Sequence, residues 1–212
     1  VLNGPLVIDT DGVVTFTGSL TITNGSLTIR GASLIEFNSP VNVNGGDIVL
    51  EGDEIDLKRS ATLRSQGGTL SLRSATPSLG MEVGNPSQVD LNKLDISLAE
   101  LDAMANGGFS KVILGRVDGS GHATAGQGQV RIAGAQSTNQ YTIYAPLEVY
   151  GGSVLVEDIE NDADPGLAIK GAVRFDATGD IEVRNRLIAS TDLSQASALK
   201  DITLYSSGGQ IK

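Results

Sequence analysis

The only histidine of the chain, His122, is the first residue to test for catalytic or metal-binding chemistry. It lies in the segment DGSGHATAG, and the chain has no cysteine. With a single histidine and no thiol, a site with two histidine ligands cannot form, and a histidine triad would have to include His122. The Gly-x-Ser-x-Gly pattern of a nucleophile elbow is also absent. Because its neighbours are small, we predict that His122 is a solvated loop residue and that the chain is not an enzyme.

Acidic residues form three clusters that could attract calcium. Residues 9–12 begin like an EF-hand loop, but the twelfth position is Leu20 where a bidentate carboxylate is required. Residues 51–56 carry two glutamates and two aspartates and are expected to form a solvated face. Asp162 and Asp164, just before a Pro-Gly turn, are the candidate calcium ligands, with an ordinary acidic turn as the alternative. No other metal or cofactor is expected.

The overall composition limits the classes of partner. The net charge is −10, and no basic run is longer than Lys58-Arg59, so nucleic acid is not an expected partner. No apolar stretch approaches the 18 residues of a membrane helix, so direct membrane insertion is not expected. Glycine is frequent, at 27 of 212 residues, and aromatic residues make up only 4%, which favours short aliphatic strands joined by many tight turns.

The first part of the chain carries a repeat of 21 residues, and the strands of this repeat must position any catalytic or metal-binding side chains. Apolar pairs at i and i+2, the spacing of a strand, recur at this offset. The predicted columns are Leu6, Leu27 and Ile48; Ile8, Ile29 and Leu50; Val14 and Ile35; Phe16 and Phe37; Leu20 and Val41; Ile22 and Val43. Each period therefore contains three short strands, and the register slips by one residue after the second repeat.

Turn residues recur with the same period. Gly4, Gly25, Gly46 and Gly67 form a column that is expected to mark one structural turn. Asn24-Gly25 between alternating segments is also the strongest local signal for a β-hairpin, which would lead to a sandwich of antiparallel strands. The hairpin does not explain the glycine column, so we favour a coiled chain that bends at the equivalent position in every 21-residue repeat.

The sequence thus predicts an all-β fold, a single-stranded right-handed parallel β-helix with three strands per turn. Right-handedness follows the usual hand of parallel crossovers. The pattern continues more loosely to the end, so residues 1–212 are expected to be one continuous segment cut from a longer protein. A capping box at Ser97 and Glu100 predicts a short helix over residues 98–106, and spaced apolar residues predict a second near 192–199.

Residues 97–121, SLAELDAMANGGFSKVILGRVDGSG, resemble a motif of the giant filamentous-haemagglutinin-like exoproteins of bacteria. In that family a helix with a Glu-Leu pair leads into a strand ending in Ile-Gly or Leu-Gly, as Glu100-Leu101 and Leu114-Gly115 are placed here. The surrounding Leu-x-Ile-x-Gly segments are similar to the family's repeats. The resemblance implies a right-handed parallel β-helix, export across the outer membrane, and a role as an adhesin or surface fibre.

The expected function is a non-catalytic, stiff stalk or binding surface of a large secreted or cell-surface bacterial protein. Its expected partner is a protein or glycan on a host or neighbouring cell, and end-to-end or lateral self-association is a further expectation. One alternative is a β-helix protein that binds or degrades polysaccharides, since enzymes share this scaffold. A second alternative is the subunit of a self-assembling extracellular filament.

Overall fold

In the computed structural model the chain is built mostly from short parallel β-strands, with one helix among the described residues. The structure describes residues 1–58, 60–84, 92–105, 107–133, 141–157, 167–184, 187–191 and 198–212. The expected all-β class with parallel sheets is therefore confirmed. No helix in these ranges is long and apolar enough to cross a membrane.

The strands and the helix have the following bounds, in chain order: β1 (Leu6–Asp9), β2 (Val13–Phe16), β3 (Leu20–Ile22), β4 (Leu27–Ala32), β5 (Leu34–Phe37), β6 (Val41–Val43), β7 (Ile48–Gly52), β8 (Ile55–Leu57), β9 (Leu63–Ser65), β10 (Thr69–Arg73), β11 (Gly80–Val83), β12 (Lys93–Ile96), α1 (Leu98–Ala105), β13 (Lys111–Gly115), β14 (Gln129–Ala133), β15 (Tyr141–Ile143), β16 (Leu147–Gly151), β17 (Ser153–Glu157), β18 (Leu167–Lys170), β19 (Val173–Ala177), β20 (Ile181–Val183), β21 (Leu187–Ser190) and β22 (Ile202–Ser206).

The strands form five sheets, and consecutive strands belong to different sheets except for β11 and β12, which pair with each other in parallel. The largest has eight strands in the order β1-β4-β7-β10-β13-β16-β19-β22, and the next has five in the order β12-β11-β14-β17-β20. Three sheets of three strands have the orders β2-β5-β8, β3-β6-β9 and β15-β18-β21. The chain therefore returns to the eight-stranded sheet after every two intervening strands, and between β10 and β13 helix α1 intervenes as well.

The predicted columns are present in the first three turns. Leu6 pairs with Leu27 and Leu27 with Ile48 in parallel register, and Phe16 pairs with Phe37. Asn24-Gly25 connects β3 to β4, which lie in different sheets, so the hairpin alternative is wrong at this position. The reason is that stacking buries the apolar residues of both strands, which a two-stranded hairpin does not achieve alone.

The glycine column needs a correction at its fourth member. A Cβ on Gly25 would lie 2.4 Å from the nitrogen of Pro5, next to Gly4, and one on Gly46 would lie 1.8 Å from the carbonyl oxygen of Gly25. The next residue in the column is Gly68, whose Cβ would lie 2.0 Å from the oxygen of Gly46. Gly67 has open space around it and lies one residue before the column. The reason is that the third repeat has 22 residues, since Ile48 pairs with Leu70, whereas the second has 21.

Helix α1 begins as the sequence predicts. The Ser97 hydroxyl oxygen accepts a hydrogen bond from the Glu100 backbone N–H at 3.3 Å, and the Glu100 carboxylate accepts one from the Ser97 N–H at 2.7 Å. The helix packs against β8, β9 and β15. Helix α1 thus takes the place that a strand has in each of the first repeats. The second predicted helix, near 192–199, lies mostly outside the described residues.

The core consists of columns of apolar side chains in the interior of the stacked strands. Along the strands, buried and less buried residues alternate, as in β3, β6 and β7. The largest fully buried side chains include Phe37, Phe175, Leu27, Ile48 and Leu70. Side chains of one repeat are covered by those of the next repeat, so their burial depends on the stacking of repeats and not on a separate covering layer.

Candidate functional site

The outer face of the eight-stranded sheet carries a polar and aromatic surface near its β22 end. Tyr150 of β16, Asp176 of β19 and Tyr205 of β22 are in register with one another. Glu148 and Arg174 form the neighbouring column two residues earlier. Since the side chains alternate along a strand, both columns point away from the apolar core.

A loop between β13 and β14 folds over this surface and brings His122 to it. The loop closes on itself through an antiparallel bridge between Val117 and Ala123 and a hydrogen bond from the Asp118 N–H to the His122 carbonyl oxygen, at 2.8 Å. The Asp118 carboxylate accepts hydrogen bonds from the N–H groups of Ser120 and His122, which lower its pKa. We call the combined surface of His122, Glu148, Tyr150, Arg174, Asp176 and Tyr205 the His122 face.

Asp176 is the centre of the His122 face and is 1% exposed. One oxygen, Oδ2, lies 2.9 Å from Nδ1 of His122 and accepts a hydrogen bond from Nη2 of Arg174 at 2.6 Å. The other, Oδ1, accepts a hydrogen bond from the Ala123 N–H at 2.9 Å. Burial alone would raise the pKa of Asp176, but the hydrogen bonds from Arg174, Ala123 and His122 outweigh burial and lower it. The carboxylate is therefore ionised at neutral pH and fastens the loop to the sheet.

The environment of His122 differs from the sequence-based prediction. Its side chain is 42% exposed, but Nδ1 faces the Asp176 carboxylate and the ring lies 4.5 Å from the Tyr205 ring, centroid to centroid. A carboxylate at Nδ1 orients a histidine as in general bases, leaving Nε2 for an external group. However, no hydroxyl among the described residues is hydrogen-bonded to this ring. The contacts of His122 and Ala123 with Asp176 anchor the loop to the sheet.

Tyr150 completes the inner part of the His122 face. Its hydroxyl donates a hydrogen bond to Glu148 at 3.0 Å, and the Arg174 guanidinium carbon lies 5.7 Å from the centroid of its ring. Burial, together with the nearby Glu148 carboxylate, raises the pKa of Tyr150 to about 12, so the phenol stays protonated. Glu148 also forms an ion pair with Lys111 at 3.1 Å.

The acidic segment 51–56 is only partly the solvated face that the sequence predicts. Glu51 forms ion pairs with Arg73 at 2.8 Å and with Arg116 at 3.1 Å, and Asp53 accepts hydrogen bonds from Thr76. Glu54 is half-buried; desolvation, followed by repulsion from other carboxylates, raises its pKa to about 7. Glu51 and Asp53 therefore form contacts between successive levels of the stack.

A ladder of alternating charges crosses the five-stranded sheet. Glu82, which is 3% exposed, forms ion pairs with Lys93 at 2.9 Å and with Arg131. Arg131 also contacts Glu157 at 2.5 Å, and Glu157 in turn contacts Arg184 at 3.0 Å. Opposite charges on successive strands thus neutralise one another along this face.

The calcium candidates Asp162 and Asp164 lie outside the described residues. Within the described ranges, no group of three histidine, aspartate or glutamate side chains is arranged to hold a metal ion. No protein-family model matches the chain, and neither a curated protein nor a solved structure matches it significantly.

Proposed function

We propose that the chain is a stiff, non-catalytic segment of a right-handed parallel β-helix, serving as a stalk or binding surface in a large secreted or cell-surface bacterial protein. One observation carries this proposal: the eight parallel strands from β1 to β22 that lie in register. At about 4.8 Å between neighbouring strands, eight levels span roughly 34 Å along the stack.

Stiffness follows from the way in which the turns contact one another. Each inner strand of the eight-stranded sheet is hydrogen-bonded to the strand before and the strand after it in the stack, and the apolar columns of this sheet run from β1 to β22 without a break. Polar side chains repeat these links on the surface: the Asn24 side-chain amide donates to Asn3 at 2.7 Å, and Arg73 donates to Glu51 at 2.8 Å. Bending the rod would break many such contacts at once, which favours a spacer over a hinged module.

The expected partner is a protein or glycan on a host or neighbouring cell. Small-angle X-ray scattering of the purified chain, together with a screen of acidic and neutral polysaccharides for cleavage, tests the spacer function. We expect scattering that a single rigid particle reproduces, and no turnover. Cleavage of any polysaccharide that is lost in His122→Ala would contradict the non-catalytic role, and scattering that requires hinged or extended conformers would contradict the stiffness.

Polysaccharide binding is the second candidate function, and the His122 face favours it. The exposed Tyr205 ring beside His122 offers an apolar plane, and Arg174 offers a cation next to it. A glycan array with the chain and with Tyr205→Ala tests this function. Binding that is lost in Tyr205→Ala but kept in Tyr144→Ala, an equally exposed tyrosine elsewhere, would support it. Equal signals from all three would contradict it.

A further inference from the structure

The change from strand to helix inside the stack leaves an apolar cavity beside α1. The cavity has a volume of about 260 Å³. Its walls include Leu72 of β10, Leu101 and Met104 of α1, Val112 of β13 and Ile143 of β15. In the first three repeats this interior is filled by buried side chains of stacked strands, among them Ile22, Val43 and Leu63. At the level of the cavity α1, which contacts β9 and β15, contributes Leu101 and Met104 instead.

One end of the cavity is polar and reaches solvent. Tyr144 is 49% exposed and lines the cavity together with Lys170, the last residue of β18, which is also exposed. Lys170 is the only charged residue among the described lining residues. Its ammonium group forms no ion pair with the part of the chain that the structure describes, although most other described lysines do.

The combination of an apolar interior and one cation at the mouth defines the chemistry of a ligand. An apolar cavity of about 150 Å³ suffices to bind benzene, and typical ligand sites have roughly 300–1,000 Å³. The volume here lies between these values and suits one alkyl chain of medium length. The Lys170 ammonium offers three hydrogen-bond donors to an anionic head group.

We propose that this cavity binds a free medium-chain carboxylate, with the alkyl chain between α1 and β13 and the carboxylate at Lys170. The site is separate from the His122 face and does not depend on the proposed stalk function. The ligand would fill space that stacked strands leave open at the level of the helix, and it would stabilise the chain in proportion to its occupancy.

Isothermal titration calorimetry of the whole chain with decanoate, below its micelle concentration, tests the proposal. Decanol and decyltrimethylammonium are the matched probes with no charge and with the opposite charge. We expect decanoate to bind with one site per chain and to raise the thermal midpoint of unfolding. Both other probes are expected to bind at least tenfold more weakly, because the loss of a charge-assisted interaction of about 1.4 kcal/mol lowers the affinity by that factor. Equal affinity for decanol, or neither heat nor a rise in the thermal midpoint with decanoate, would overturn the proposal.

Two variants locate the binding. Lys170→Ala is expected to weaken decanoate binding about tenfold or more, whereas Lys200→Ala, which removes an exposed lysine outside the lining, is expected to leave it unchanged. Ala145→Leu, which adds volume at a buried lining position, is expected to reduce binding while the circular dichroism spectrum is kept. If Ala145→Leu does not fold, Val112→Leu, which adds a smaller volume at a partly buried lining position, replaces it. Unchanged affinity in Lys170→Ala, or in every folded variant that alters the walls, would contradict the assignment.

Discussion

The rings of Phe16 and Phe37, one 21-residue period apart in the sequence, lie stacked with their centroids 5.1 Å apart and an angle of 12° between their planes. They are paired residues of β2 and β5, so the contact repeats the strand pairing at the level of side chains. A contact of this kind recurs wherever two turns place similar residues at the same position. The stability of the chain should therefore depend on these columns.

Replacing Phe37 with alanine tests how much one column of stacked side chains contributes to the free energy of unfolding. The side chain is fully buried, so Phe37→Ala is expected to lower the free energy of unfolding by about 3–5 kcal/mol, because it removes apolar contacts and leaves a cavity. Urea unfolding followed by circular dichroism measures the change. Val7→Ala, at a position that is 58% exposed, is the control and should change stability by about 0.5 kcal/mol or less. Similar losses in both variants would contradict the account.

The close approach of the turns at the glycine column gives a second prediction. A Cβ at Gly46 would lie 1.8 Å from the carbonyl oxygen of Gly25, so Gly46→Ala must push two turns apart. We expect a loss of about 1–3 kcal/mol or more, the range of overpacking effects. Gly18→Ala, which meets no atom within 4 Å, is the matched control. Thermal unfolding of the two variants compares them, and equal midpoints would show that the turns are not in contact there.

Glu54 gives a prediction for pH dependence. Its pKa is raised from 4.5 to about 7, mainly by burial, so the folded chain binds a proton that the unfolded chain has released between these values. The stabilising contribution of this group is complete below about pH 4.5 and is lost as the pH rises through about 7. Glu54→Gln should remove this loss. Thermal midpoints from pH 4.5 to 8 should fall more steeply in the parent chain than in Glu54→Gln, and parallel curves would contradict the prediction.

Asp176 gives a prediction for the loop over the eight-stranded sheet. Asp176→Ala removes the acceptor for Arg174 and Ala123 and leaves buried donors without a partner, which costs about 1–3 kcal/mol. Faster hydrogen exchange in residues 117–126 is the expected readout. Asp180→Ala, which removes an exposed pair with Lys212, should leave this exchange unchanged. Equal exchange in the parent and Asp176→Ala would show that the loop is held by other contacts.

The sequence was sufficient to predict the elements that repeat locally. Strand spacing, the period of 21 and the capping box at Ser97 and Glu100 depend on residues close in the chain, so each is visible as a pattern. The later turns were harder, because their lengths vary: Leu70 pairs with Val112, and Val112 with Leu147. A fixed offset cannot find such pairs.

The candidate site depends on contacts that no local pattern encodes. His122 meets Asp176 across 54 positions because a loop folds back over the sheet, and small neighbours of His122 gave no sign of it. A usable signal was present in the strands, since Tyr150, Asp176 and Tyr205 each follow an apolar pair at the same offset. The raised pKa of Glu54 likewise arises first from burial and then from Glu100 and Asp95, and only the fold produces that burial and brings these two carboxylates near.

Disulfide trapping in this cysteine-free chain tests the parallel stack most directly. Thr28 and Val49 are paired on neighbouring parallel strands, and a Cα separation of about 4.4–6.8 Å permits a disulfide. A hairpin at Asn24-Gly25 would instead bring Thr21 opposite Thr28. We predict that the double variant Thr28→Cys with Val49→Cys forms an intramolecular disulfide under mild oxidation and that Thr21→Cys with Thr28→Cys does not. A disulfide in the second variant and none in the first would contradict the account.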